Sequence, residues 1–382
     1  MHSSMPDQHH TYHAFEQFLA DILPALNRSI QESAREASHI ALDKQSLLDV
    51  RTEASAGTSD LQRYLYEPFE HFSMQGGKRI RPALWILGAY VFDPQAIASK
   101  DRLNDLLALS TACEHFQTAA LIHDDIADKS SYRRGEACMY KTEGTGIALN
   151  VGDCALVYAL RVICQAKSIS TAVKQQLIDE FCAMEQLTIE GQALDLGWAR
   201  DGRWDLETDD YLVMAQKKTA YYSCATPLVL GALCASAPHE AIEALRSFGA
   251  AAGLAFQIQD DYLNIFGDAA AQGKDFRSDL IEGKRTFFSL YTLQHLRPKE
   301  CERLKYLLSA HAHADSTTAE DIRAASEEAA RLIEESGARK AGKAQAQALL
   351  DRAQEQLSPE LFSPDARRLL SDLCRLFVER TR

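Results

Sequence analysis

No apolar run in the 382-residue chain reaches about 18 residues, so no membrane-spanning helix is expected. The middle of the chain has no Pro/Gly/Ser-rich stretch, and without a linker one large domain is expected rather than two or three. The 9 cysteines include no CxxC pair and no metal-ligand spacing, which argues against a zinc module or a disulfide framework. Most of them fall in apolar helical patterns as small buried hydrophobes, and this points to a reducing, cytoplasmic compartment. Positive charge is in deficit: 41 Lys and Arg against 54 Asp and Glu give a net charge of -13. No nucleic-acid partner is expected, because that affinity needs a basic surface to displace counterions. A phosphate ligand remains open, since bound metal can invert the local field. Regular strand alternation and internal repeats are also missing. The first 13 residues are polar, with four histidines and no apolar core of signal-peptide length.

Helical spacing is what the chain does have, and 46% hydrophobic residues suffice for a sizeable core. Apolar positions recur at that spacing from Ala14 to Ile40, predicting one or two helices. A helix over Leu61 to Phe72 should stop near Gly76-Gly77, and Pro82 suits the first turn of the next. Leu103 to Ile122 reads as a long helix, apolar all round and therefore buried. Further helices are predicted over Ile147–Ile163, Ala172–Ile189, Tyr211–Leu230 and Ile242–Ile258, and Ala312–Ala341 as a surface-exposed amphipathic helix. The fold class is all-α, a bundle of about ten or more helices.

Two of these apolar rods open abruptly into carboxylates. One is Leu121-Ile122-His123-Asp124-Asp125-Ile126-Ala127-Asp128, the other Phe256-Gln257-Ile258-Gln259-Asp260-Asp261-Tyr262-Leu263-Asn264. At about 100° per residue, positions i and i+4 lie roughly 40° apart, so Asp124 and Asp128 share a face. Carboxylates at that spacing repel unless a cation sits between them. Mg²⁺ suits the pattern, because it is commonly held by one or two carboxylates plus substrate phosphates. Two such clusters suggest a polyphosphate held between opposing walls. Lys78, Arg79 and Arg81 follow the paired glycines and make a phosphate-binding corner. His123 reads as a packed neighbour of the first cluster.

Around these clusters the chain resembles the trans-isoprenyl diphosphate synthases of the polyprenyl synthetase family. The clusters resemble that family's two aspartate-rich motifs. Gly76-Gly77-Lys78-Arg79-Ile80-Arg81-Pro82, Arg133-Arg134-Gly135, Gly191-Gln192-Ala193-Leu194-Asp195, Lys218-Thr219 and Gly283-Lys284-Arg285-Thr286 follow in family order. The resemblance spans about Gln75 to Thr286 and implies an isoprenoid-synthase bundle with a central cavity. With no linker in the chain, that bundle is expected as one domain over residues 46–382, and residues 1–45, outside the motifs, as a polar extension with a helix packing on it. The resemblance also implies head-to-tail condensation of isopentenyl diphosphate with an allylic diphosphate (dimethylallyl, geranyl or farnesyl), by ionisation assisted by about three Mg²⁺, in a homodimer. The implied metal ligands are Asp124, Asp128, Asp195 and Asp260, with Asp125 and Asp261 in support and Asp261 a possible direct ligand. Arg133, Lys218 and Lys274 resemble the allylic-diphosphate contacts. Lys78, Arg81, Gln117 and Arg134 resemble the isopentenyl-diphosphate contacts, and Lys284 belongs to the substrate-binding set. Thr219 and Gln257 are expected to present oxygens to the carbocation. Two positions depart from the family pattern: Asn264 replaces the third acid of the second motif, and Gln117 stands where many bacterial members carry His.

In short-chain members similar to this sequence, bulky aromatics four or five positions before the first aspartate close the product tunnel. Ala120 and Ala119 stand there. Phe116, one further turn of about 5.4 Å down the helix, is the expected stop, and that arithmetic favours C20, geranylgeranyl diphosphate. If Phe116 is only core, longer polyprenyl products follow, whereas a farnesyl product would refute the reading of the alanines. A class I terpene cyclase would not need Lys78, Arg81 and Arg134. A non-catalytic partner subunit would typically lose metal ligands, and here Asn264 alone departs.

Overall fold

Each segment with helical apolar spacing forms helix in the computed structural model, which describes residues 13–43, 59–268, 276–309 and 318–379. Lys274 and residues 310–317 lie outside those ranges. The described residues fall into two compact units. One comprises Phe18–Ala183 with Thr226–Pro238, the other Met184–Ala225 with His239–Arg382 and Met1–Gln17.

The first unit is built on the Lys100–Ala127 helix, which packs against the Thr145–Gln165 and Ile80–Phe92 helices. Ile80–Phe92 and Thr226–Cys234 meet main chain to main chain: a Cβ on Gly88 would stand 2.1 Å from Leu228 O, and one on Gly231 1.9 Å from Trp85 O. Any larger residue would force these helices apart. The N-terminal segment is a single helix, His13–Asp43, with Pro24 inside it, and Ala34 and Ala37 join the core of Phe69, Phe72, Ala119, Ile122 and Val151.

The Lys100–Ala127 helix is buried along most of its length, yet it is not apolar all round. Ser110, Thr111, Glu114, His115, Gln117 and Thr118 are buried too. The hydroxyls of Ser110 and Thr111 donate to the carbonyls of Leu107 and Ala108. His115 Nε2 lies 2.8 Å from Ser33 Oγ, and burial pushes the imidazole down to about 3, so it is neutral. The burial expected from an apolar surface is reached in part through satisfied polar pairs.

Thr145–Gln165 is long and apolar enough to cross a membrane by length and composition, with a mean hydropathy of 1.7 and 39% of that window buried. Asp153 and Arg161 interrupt its apolar residues.

In the second unit the His239–Phe266 helix packs against residues 216–225 and against Ala338–Glu355. The Thr208–Ala215 helix runs directly into a π-helical stretch, Gln216–Ala225. The Ala/Glu-rich region is two helices, Ala319–Glu335 and Ala338–Glu355, separated by Gly337 at φ +83°. It is not wholly on the surface: Ala329, Ala330, Ile333 and Ala338 are buried. Beyond it, the Pro364–Glu379 helix sets Phe377 edge-on against Phe256, with centroids 4.8 Å apart.

Candidate active site

Asp124 lies in the last turn of the Lys100–Ala127 helix, and Asp128 is its C-terminal cap, donating its N–H to Asp124 O at 2.8 Å. Asp125 points the other way and is 2% exposed. Its Oδ1 accepts from Arg133 Nε at 2.8 Å and also from Arg133 Nη2, while its Oδ2 is buried without a hydrogen-bond partner. Burial raises the Asp125 carboxyl and Arg133 opposes this. Burial disfavours the charge on Arg133, but Asp125 and Asp124 outweigh it and the guanidinium is held protonated. Arg133 Nη2 stands 3.9 Å from Asp124. The two adjacent acids thus do different work: Asp124 stays at the surface of the turn, and Asp125 fixes a cation beside it.

Arg133 and Arg134 sit on a small antiparallel hairpin, Tyr132–Arg133 paired with Glu136–Ala137, whose turn places Arg134 at φ +52° and Gly135 at φ +88°. A Cβ on Gly77 would lie 3.1 Å from Arg134 Nη2, so the glycine pair lets this guanidinium close on the Lys78–Arg81 corner. Burial lowers Arg134 and so do the charges of Arg79, Arg133 and Arg81, against the pull of Glu114. Lys78 is exposed and Arg81 half-buried. Gln117 is 7% exposed, and its Oε1 has no partner. Arg79 is buried, and its guanidinium pairs with Glu114. His123 rests on Gly152, where a Cβ would meet its ring at 2.3 Å, as expected of a packed neighbour.

The second set gathers in the other unit. Asp195 does not end its helix, as the apolar pattern suggests; Thr171–Arg200 continues through Gln192 and Asp195. Lys218 Nζ donates to Asp195 Oδ2 at 2.5 Å from the π-helical stretch, which also carries Thr219, itself buried. Such stretches often occur at functional sites.

Asp261 is buried, and both its oxygens are taken. Tyr211 Oη donates to Oδ2 and Gln257 Nε2 to Oδ1, each at 2.8 Å. Burial drives its carboxyl well up, with the Asp279 and Asp260 charges adding. Each Asp261 oxygen thus accepts one hydrogen bond from the protein, and Gln257 is engaged through its amide N–H.

Asn264 has an explanation too: its Nδ2 donates to Ser278 Oγ at 3.0 Å and its Oδ1 accepts from Asp279 N at 3.2 Å. The amide holds a turn that carries an acid of its own, Asp279. Burial raises Asp279, Asp195 and Asp260 add to the shift, and Lys284 and Lys218 oppose it. Its only sequence signal is its position five residues before Lys284, whose Nζ lies 3.8 Å from Asp279 and 2.9 Å from Glu282.

Arg285 and Thr286, by contrast, are structural. Arg285 lies 3.8 Å over the Trp204 ring, and burial brings it down to about 10. Thr286 caps the Phe287–His295 helix by accepting from Ser289 N.

Phe116, Ala120 and Asp124 succeed one another at i, i+4 and i+8 and share a face of their helix. Phe116 is 4% exposed and packs edge-on against Phe181 at 6.0 Å. Ala120 is half-buried, whereas Ala119 is fully buried in the core with Phe69 and Ile122. The two alanines are therefore not equivalent.

Among the described residues no three of His, Cys, Asp and Glu converge into a closed metal cage. Oxygen donors in pairs suit Mg²⁺, which completes its shell with water and phosphate. In the first unit Asp125 Oδ2 is buried without a partner, and in the second the charges of Asp279 and Asp260 both raise Asp261, so each set is short of positive charge.

Fold and site together define a helical protein whose two carboxylate sets are each bordered by cations, the chemistry of a diphosphate-handling enzyme. The polyprenyl synthetase profile matches residues 62–327, and the chain belongs to that family. A short chain isoprenyl diphosphate synthase from Methanothermobacter thermautotrophicus is 34% identical over 243 residues, covering 63% of this chain and 70% of the relative. A geranylfarnesyl diphosphate synthase from Natronomonas pharaonis is 30% identical over 326 residues, 83% of this chain and 90% of the relative. A geranylgeranyl pyrophosphate synthase from Corynebacterium glutamicum, solved with isoprenyl diphosphate and magnesium, superposes with a TM-score of 0.75 at 28% identity, covering 92% of this chain and 98% of that one.

Proposed function

We propose that this prenyltransferase joins isopentenyl diphosphate head-to-tail to an allylic diphosphate and releases geranylgeranyl diphosphate (C20). The observation that carries the reading is the Asp124–Asp128 pair at the exit of a buried helix, with Arg133 locked beside it by Asp125. Asp124, Asp128, Asp195 and Asp260 would hold about three Mg²⁺, and bound there the metal supplies positive charge against the departing diphosphate. Arg133 and Lys218 are each fixed by a carboxylate, so they can bind the allylic diphosphate without reorganising as its charge develops. Lys78, Arg81, Gln117 and Arg134 take the isopentenyl diphosphate, where guanidinium forks grip phosphate oxygens in pairs. Thr219 and Gln257 face their oxygens to the allylic cation. The released diphosphate is the base that takes the final proton.

The growing hydrocarbon lies along the face of Ala120 and stops at Phe116, braced by Phe181. Homodimerisation and a cytoplasmic site belong to the same reading. The exposed Leu149 and Val157 of the Thr145–Gln165 helix support the first, and nine free cysteines the second.

Incubation with labelled isopentenyl diphosphate, Mg²⁺ and an allylic primer, followed by chromatography of the dephosphorylated products, tests this. Geranylgeraniol is expected. A sole C15 product refutes the chain-length assignment, a cyclised hydrocarbon points to a terpene cyclase, and a homomer without turnover points to a partner subunit.

A further inference from the structure

The corner between Gly77 and Pro82 carries three cations, and the structure separates them. Lys78 is exposed and Arg81 half-buried, but Arg79 turns inward and is 3% exposed. Its guanidinium donates Nη1 to Glu114 Oε1, Nη2 to Ser73 O at 2.8 Å and Nε to Asn27 Oδ1 at 3.2 Å. Three donors are thus spent on three separate elements of the same unit. Arg79 also caps the Ile80–Phe92 helix at φ +51°, a left-handed conformation that a non-glycine residue keeps only where its surroundings impose it.

We propose that Arg79 is the positioning residue of the isopentenyl-diphosphate half of the site. Locked to Glu114, it sets the angle at which Lys78 and Arg81 leave the turn, and it never touches the substrate itself. Glu114 suits this role because it lies one helical turn before Gln117, so the pair registers the basic corner against the amide assigned to the same diphosphate. The pair also cancels its own charge, so the corner's positive field comes from Lys78, Arg81 and Arg134 and faces outward. Asn27 brings in the His13–Asp43 helix, which lies outside the matched residues 62–327. That helix is thereby built into the support of the corner.

This inference rests on the function proposed above. Truncating Arg79 alone would strand a buried Glu114, so the informative variant removes both charges. Steady-state kinetics and thermal unfolding are to be compared for wild type, Arg79→Met/Glu114→Met and Asn27→Leu. The double variant should fold with a Tm near that of wild type and raise KM for isopentenyl diphosphate about tenfold or more, with KM for the allylic diphosphate within about twofold. Asn27→Leu should raise the isopentenyl KM about threefold in the same one-sided way. Folded variants with an unchanged isopentenyl KM, or with both KM values raised alike, overturn the inference. If the double variant does not fold, Asn27→Leu alone decides. A wild type that condenses nothing overturns the parent reading, and this one with it.

Discussion

A Cβ on Gly191 would stand 2.2 Å from the backbone nitrogen of Lys218. The helix carrying Asp195 and the π-helical stretch carrying Lys218 and Thr219 meet there main chain to main chain, which is how Lys218 Nζ comes within 2.5 Å of Asp195. The glycine is needed for proximity and not for an unusual φ. Gly191→Ala should displace the stretch, costing about 1–3 kcal/mol in denaturant unfolding by overpacking. It should lower kcat/KM for the allylic substrate more than tenfold, by misplacing its phosphate contacts by a fraction of an ångström. An alanine variant with wild-type kinetics would show that Lys218 needs no such placement.

Much of this arrangement is legible in the residues, because a clustered acid or a glycine-flanked cation is a local signal. Asp124 and Asp128 fall at the end of a buried helix, as the apolar pattern before them indicates, but of the three cations at the corner Arg79 turns inward to Glu114. What sequence spacing does not carry is helix phase near buried polar residues. One position turns a side chain by about 100°, so Ala119 enters the core while Ala120 keeps the face of Asp124. Nor does it carry partners made by distant segments. Spacing does not show that Tyr211, fifty residues earlier, donates to one of the Asp261 oxygens. Asn264 reads as a missing charge until Ser278 and Asp279 are seen to need its amide. The π-helical widening of Gln216–Ala225 is also missed, because periodicity alone registers it as ordinary helix.

The chain-length assignment makes a directional prediction. Phe116→Ala should open the face below Ala120 and add products beyond C20, each further unit needing about one helical turn. Ala119→Leu should act differently from Ala120→Leu: the first overpacks a closed core and lowers Tm, while the second shortens the product. Chromatography of the dephosphorylated alcohols reads both. An unchanged product distribution in Phe116→Ala removes its role as the stop.

Glu185 supplies a pH test. Its Oε1 is buried without a partner, and burial pushes the carboxyl up from 4.5 to about 7. The folded state therefore binds this proton more tightly than the unfolded chain. The contribution is fully present below the unfolded value and is lost as pH rises through about 7. Relative to Glu185→Gln, wild type should lose about 1–2 kcal/mol of stability between about pH 5 and about pH 8, the figure being reduced for partial exposure. Asp261 and Asp279 titrate in both proteins, so the difference isolates Glu185. Parallel stability curves from urea unfolding would contradict the assignment.

The central claim is that carboxylate-held metal drives departure of the allylic diphosphate. The direct measurement is the condensation rate as a function of Mg²⁺ in wild type and in Asp124→Asn, which keeps the shape of the side chain and removes its charge. The account predicts no turnover under chelation, recovery on adding Mg²⁺, and in the variant a kcat at least about a hundredfold lower with a higher Mg²⁺ requirement. Condensation that persists without divalent cation, or a variant as fast as wild type at the same Mg²⁺, would contradict it.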